Sequence, residues 1–170
     1  MTWSHKSKHE RSKIEIIQNI ISEPLILFKQ VFNIDYTFCG SYRRNKEIIG
    51  DIDIVICNDN NINLFDHFKT FLPYLTKLIG GKVKASYLYN NDVQVDIRIC
   101  NSSNYIFHIL RATGSADENK RLSFIAKRKG YTLSEYGLRD IYTNSYVQSL
   151  TTEKDIYEFL DIKYKYPSER

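Results

Sequence analysis

Apolar residues along this chain follow two periods in turn, and each change of period marks an element. Ile14, Ile16, Ile17, Ile20, Ile21, Leu25 and Phe28 recur at helical spacing, which predicts an amphipathic helix broken or restarted at Pro24. Residues 36–39 read as a strand leading into a Gly40-Ser41 turn. From Asp51 to Cys57 the period falls to two, setting Ile52, Ile54 and Ile56 on one face and Asp51 and Asp53 on the other. A polar loop over residues 58–63 follows. Leu64, Phe65, Phe68, Phe71 and Leu72 then predict a second helix, kinked at Pro73 and stopped by Gly80-Gly81. Residues 82–89 and 92–100 read as a hairpin around Asn90-Asn91. Its returning strand carries Val93, Val95, Ile97 and Ile99 on one face and Gln94, Asp96 and Arg98 on the other. Beyond Asn101 the pattern is helical: one helix holds Tyr105, Ile106, His108, Ile109 and Leu110, and another spans residues 119–129 and ends at Gly130. A last one, capped by Thr152 with Glu153 and Asp155, carries Ile156, Phe159 and Leu160. The chain reads as α+β: a mixed or antiparallel sheet with helices behind it over residues 1–101, then a smaller, mainly helical unit over residues 102–170.

The polar strand faces carry the chemistry. Asp51 and Asp53 converge on one point, and Asp96 joins them if its strand lies beside theirs, giving three carboxylates able to bridge two metal ions about 4 Å apart. Magnesium prefers such hard oxygen ligands completed by substrate phosphates. Just upstream, Gly40-Ser41-Tyr42-Arg43-Arg44 offers a turn whose amides can cradle phosphate oxygens and a basic pair to neutralise them. An Asp-x-Asp strand alone is common on solvated sheets. The turn and the third aspartate together point to a site for a metal-bound nucleoside triphosphate.

Composition narrows the partners. The 170 residues are 42% hydrophobic and 26% charged, ordinary for a globular chain with one sizeable core, and the net charge is +4. Basic residues cluster over residues 4–11, at Arg43-Arg44 and over residues 120–129, which suits a polyanion, although any single cluster also reads as a solvated helix face. Cys39, Cys57 and Cys100 adjoin apolar strands and read as reduced thiols, and no Cys/His spacing matches a zinc site. The polar N-terminus has no apolar leader and no run reaches the ~20 residues of a membrane helix, so the expectation is an intracellular protein without membrane contact, and a monomer is expected alongside it.

These motifs resemble the family X DNA polymerases of the polymerase beta superfamily of nucleotidyltransferases. Gly40-Ser41-Tyr42-Arg43-Arg44 with Gly50-Asp51-Ile52-Asp53 is similar to the family signature, and Gln94-Val95-Asp96-Ile97-Arg98 to its third-carboxylate strand. Thr113-Gly114-Ser115 with Asn119, the stretch Lys129-Gly130-Tyr131 to Tyr136-Gly137-Leu138, and the tail motifs Thr152-Glu153-Lys154-Asp155 and Pro167-Ser168-Glu169-Arg170 resemble its later elements. The chain looks like the minimal viral type, without lyase and fingers domains, which implies a viral factory, cytoplasm or virion as its place.

The resemblance implies a nucleotidyltransferase palm and a gap-filling, low-fidelity DNA polymerase of base excision repair. It implies two Mg2+ ions, replaceable by Mn2+, on Asp51, Asp53 and Asp96, with DNA and deoxynucleoside triphosphates as partners. Gly40, Ser41, Arg44, Gly50, Thr113 and Gly114 would hold the nucleotide, and Asn119 its base edge. Arg11 would add a phosphate contact, a solvated arginine being the other reading. Arg98, Glu135 and Tyr136 look like the family's switch between open and closed arrangements, the alternative being a permanent polar contact between subdomains. The chain departs from the family at three places. Arg111-Ala112 replaces aromatics, implying weak discrimination against ribonucleotides; Ser123 stands where an arginine supports the templating base; and Gln94 replaces an arginine beside the third carboxylate, implying looser primer positioning. The motifs leave open a template-independent terminal or RNA nucleotidyltransferase, a small-molecule nucleotidyltransferase and a non-catalytic nucleic-acid-binding module.

Overall fold

A large apolar cluster in the first hundred residues and a second one after them organise the computed structural model, which describes residues 7–60 and 62–170. Ser4, His5 and Lys6 of the N-terminal basic cluster lie outside the described residues. The chain runs β1 (His9–Glu10), α1 (Arg11–Phe32), β2 (Asp35–Phe38), α2 (Gly40–Arg43), β3 (Ile48–Ile49), β4 (Asp51–Cys57), α3 (Leu64–Phe71), β5 (Leu75–Gly80), β6 (Lys84–Tyr89) and β7 (Val93–Cys100). It continues through α4 (Tyr105–Thr113), α5 (Ala116–Arg128), the hairpin β8 (Tyr131–Ser134) and β9 (Gly137–Asp140), and α6 (Glu153–Phe159).

The main sheet has the order β2-β4-β7-β6-β5, antiparallel except for the central β4–β7 pair, which is parallel and sets Asp53 directly opposite Asp96. Ile52, Ile54 and Ile56 with Val93, Val95 and Ile97 face the core, where Ile14, Ile17, Ile21, Leu25 and Phe28 of α1 and Leu64, Phe65 and Phe68 of α3 cover them. Burying such aliphatic side chains contributes ~1.5–3 kcal/mol each. The opposite face of β4 is open at Asp51 and Asp53 but closes at Val55, which packs with Cys39, Cys100 and Ile109 beneath α4. Strict alternation therefore ends where the second unit sits down on the first. Phe107, Leu110, Leu122, Ala126, Leu138, Ile156, Tyr157 and Leu160 form that unit's own core.

The structure departs from the sequence pattern at three places. The helix expected from Leu64 to Gly80 stops at Phe71, and residues 75–80 form the edge strand β5, paired antiparallel to β6 with an irregularity at Lys77/Ile79. Leu75, Leu78 and Ile79 fit helical spacing, yet Leu78 and Ile79 are exposed, so strand pairing rather than burial of a helical face decides the segment. Helix α1 is not broken at Pro24: the Ile20 carbonyl, which loses its usual partner to the proline ring, accepts a hydrogen bond from the Tyr74 hydroxyl at 3.0 Å. The Gly40-Ser41 turn is a single helical turn, α2. The Asn90-Asn91 hairpin forms as expected, both asparagines taking positive φ. Ser115 caps α5, and Thr152 and Asp155 form a capping box on α6. Among the described residues no helix is long and apolar enough to cross a membrane.

Candidate active site

Sheet register assembles the centre. Because β4 and β7 are parallel neighbours, Asp51, Asp53 and Asp96 share one face, and one carboxylate oxygen of each lies within 4.8 Å of the others. Three like charges this close oppose one another unless a cation sits among them. An all-oxygen donor set of this kind suits a hard divalent cation. Asp96 is buried and its orientation is fixed: the Ser86 hydroxyl and the Gln94 amide both donate to Oδ1, at 2.6 and 2.9 Å. Those two donors load one oxygen.

The α2 turn is docked on this face. Gly40 has φ +63, and a Cβ there would stand 2.3 Å from Asp53 Oδ2, so both the backbone conformation and the approach require glycine. The Cys39 amide donates to the Asp53 carbonyl at 2.8 Å. Burial pushes the Cys39 thiol up to about 12, and none of the three cysteines is paired, in line with the reduced thiols expected.

The two arginines of the turn diverge. Arg44 donates to the Thr113 carbonyl, and its Nε is buried without a partner among the described residues. Burial lowers the Arg44 pKa, with the charges of Asp53 and Asp51 opposing that shift. Gly114, at φ +70, leaves the space Arg44 needs: a Cβ there would lie 3.2 Å from Nη1. Arg43 turns away to Thr113 Oγ1 at 2.7 Å and to Glu153 Oε2 at 2.6 Å. Glu153 in turn accepts from Arg170 at 2.6 Å. This Arg43–Glu153–Arg170 link joins the turn to the chain end and was not legible in the sequence, where the three residues lie in separate motifs.

Gly40, Ser41, Arg44, Thr113 and Gly114 are thus brought together beside the triad, with Gly50 entering β4. Asn119 lies further along, where its amide donates to the Arg111 carbonyl at 2.9 Å, and with Ser123 both residues line a notch between α4, α5 and β8. Arg11 braces α1 against α2: it donates to the Tyr42 carbonyl at 3.1 Å, lies 4.3 Å from that ring's centroid and pairs with Glu15. Arg98, Glu135 and Tyr136 share a cleft of about 480 Å³ with Lys84, His108 and Arg111. No ion pair joins Arg98 to Glu135 among the described residues. Arg98 is two residues beyond Asp96 on the same strand face, and Lys84 is its register partner, so the cleft continues the carboxylate face about 7 Å along the sheet. Burial lowers the His108 pKa, Glu135 opposing and Arg98 adding to the shift.

Sequence comparison matches residues 9–111 to the DNA polymerase beta palm and residues 108–170 to the DNA polymerase beta thumb. The chain is 26% identical over 139 residues to the DNA polymerase/3′-5′ exonuclease PolX of Bacillus subtilis, covering 81% of this chain and 24% of that protein. It is 28% identical over 162 residues to DNA polymerase lambda of Rattus norvegicus, covering 78% of this chain and 28% of the relative. DNA polymerase lambda of Arabidopsis thaliana is 24% identical over 169 residues, with 77% and 31% covered. The chain therefore spans about a quarter to a third of the length of these relatives.

Proposed function

Since the chain belongs to the family X DNA polymerases, built on the polymerase beta palm and thumb, we propose that it extends a DNA primer by template-directed transfer of deoxynucleotides, filling short repair gaps with low fidelity. The observation that carries this reading is the juxtaposition of three carboxylates with the Gly40 turn and the half-buried Arg44 guanidinium, whose Nε has no partner among the described residues. Asp51, Asp53 and Asp96 would hold two magnesium ions, which when bound lower the pKa of the primer 3′-hydroxyl and neutralise charge on the transferred phosphoryl group. Arg44 and Ser41 bind the phosphates from the turn side, the planar guanidinium suiting paired oxygens. Lys84, Arg98 and Arg111 make the neighbouring cleft attractive to a nucleic-acid backbone. The Asn119 side-chain amide donates one N–H to the Arg111 carbonyl and reads the base edge with its other donor.

Incorporation measured on a single strand, a primer–template and a one-nucleotide gap tests the reading. Template-matched insertion with preference for the gap is expected. Equal, template-blind addition to all three would replace it with a terminal transferase.

Ser86 and Gln94 give a separate expectation. Removing a group that orients a metal ligand commonly weakens binding or activity about 10–100-fold. Ser86→Ala should therefore weaken Mn2+ binding, followed by calorimetry, by about tenfold or more, and Ser86→Thr, which restores a hydroxyl, should recover part of it. Unchanged Mn2+ affinity in Ser86→Ala would show that Asp96 needs no such support.

A further inference from the structure

Helix α5 starts beside the Asn119 notch and carries an outward ridge at the spacing of one turn, Lys120, Phe124 and Arg128, all exposed. Phe124 is 61% exposed, and the Arg128 guanidinium stands 5.9 Å from its ring centroid. A single exposed apolar ring means little. Here the ring is flanked by a cation on each side along the helix, on the ridge next to Asn119 and Ser123. Among the described residues Lys120 pairs with Asp117 alone, in a solvent-exposed contact at 3.6 Å. Past the helix end, Tyr142 is 89% exposed and its ring lies 3.3 Å from where a Gly130 Cβ would stand. Its turn is well braced, since Asp140 Oδ1 accepts from the amides of Tyr142 and Thr143 at 2.7 and 2.9 Å.

Aromatic faces set among basic groups are the chemistry that grips unpaired nucleic acid: bases stack on the rings while phosphates meet the cations. A duplex, whose bases are already stacked, gains nothing from such a ring. From Lys120 to Arg128 the helix advances about 12 Å, the length of roughly three to four stacked nucleotides. Resting on the polymerase reading above, we propose that the Lys120–Phe124–Arg128 ridge is a subsite for the unpaired template strand ahead of the nucleotide being copied, with a base stacked on Phe124 and Tyr142 extending the track.

Fluorescence anisotropy on labelled primer–templates with template 5′ overhangs of one and six nucleotides, without deoxynucleotides, tests this. The wild type should bind the six-nucleotide overhang about fivefold or more tighter, the least that one stacked base contributes. Phe124→Ala should abolish that ratio while its thermal midpoint stays unchanged, and Phe124→Tyr should retain it. Lys120→Ala and Arg128→Ala should each reduce the salt slope by about one. Equal affinities in the wild type, or an undiminished ratio in Phe124→Ala, would overturn the subsite. So would a Phe124→Ala loss of equal size on both substrates, which would assign the ring to the duplex. If the wild type inserts no templated nucleotide, the polymerase reading fails, and the overhang ratio still decides the subsite by itself.

Discussion

Asp96→Asn is expected to lower kcat for nucleotide incorporation by about a thousandfold or more without destabilising the fold. Asparagine keeps the shape of aspartate, and its carbonyl can still accept from Ser86 and Gln94, which bond only Oδ1. The substitution falls on Oδ2, where an amide replaces a cation-binding oxygen. Charge stabilisation by metal ions is worth several kcal/mol in a transition state, and about 4 kcal/mol is a thousandfold in rate. Stability should move the other way. Three carboxylates within 4.8 Å repel one another, so neutralising one should leave the thermal midpoint in metal-free buffer unchanged or higher. Opposite signs in the two measurements separate a functional from a structural carboxylate. A rate within tenfold of wild type would remove Asp96 from the reaction.

The triad was legible because strand alternation is a local property: once residues 51–57 and 93–100 are strands, Asp51, Asp53 and Asp96 must avoid the apolar face. That they meet depends on β4 and β7 being parallel neighbours, which alternation does not encode; the resemblance implied only that the three aspartates share metal ions. Ser86 was within reach of the same logic, because the register of the Asn90-Asn91 hairpin puts it opposite Asp96. Misreading residues 75–80 concealed the edge strand, since Leu75, Leu78 and Ile79 satisfy either period and only pairing with β6 settles which one. Tyr74 against the Ile20 carbonyl and Glu153 beneath Arg43 are contacts at separations of 54 and 110 residues. No periodicity carries information over that range.

Glu153 should show the largest effect on stability. It is 5% exposed and is shared by Arg43, which holds the Gly40 turn, and by Arg170, which inserts between the rings of Tyr157 and Tyr164. Glu153→Gln leaves two guanidinium groups facing a neutral amide, Arg170 fully buried and Arg43 mostly so. Removing the anion of a buried ion pair costs about 3–5 kcal/mol, which for a chain of this size lowers the thermal midpoint by roughly 6–20 °C. The pH dependence has a definite sign. Burial raises the Glu153 pKa, but the Arg43 hydrogen bond and the charges of Arg170 and Arg43 outweigh it and hold the carboxyl below its usual 4.5. Its stabilisation is therefore complete above about pH 4.5 and is lost as pH falls through the lower, folded-state value. Glu118 titrates in the same region: burial raises its pKa, but hydrogen bonds from Arg121, Lys165 and Tyr157 pull it down to about 2. The Glu153 contribution must accordingly be read as the difference in midpoint between wild type and Glu153→Gln. That difference should be large at pH 7 and shrink below pH 4.5. A difference that stays constant down to pH 3 would mean that Glu153 supports the turn by shape rather than by charge, and that Arg43 keeps its place without an anion.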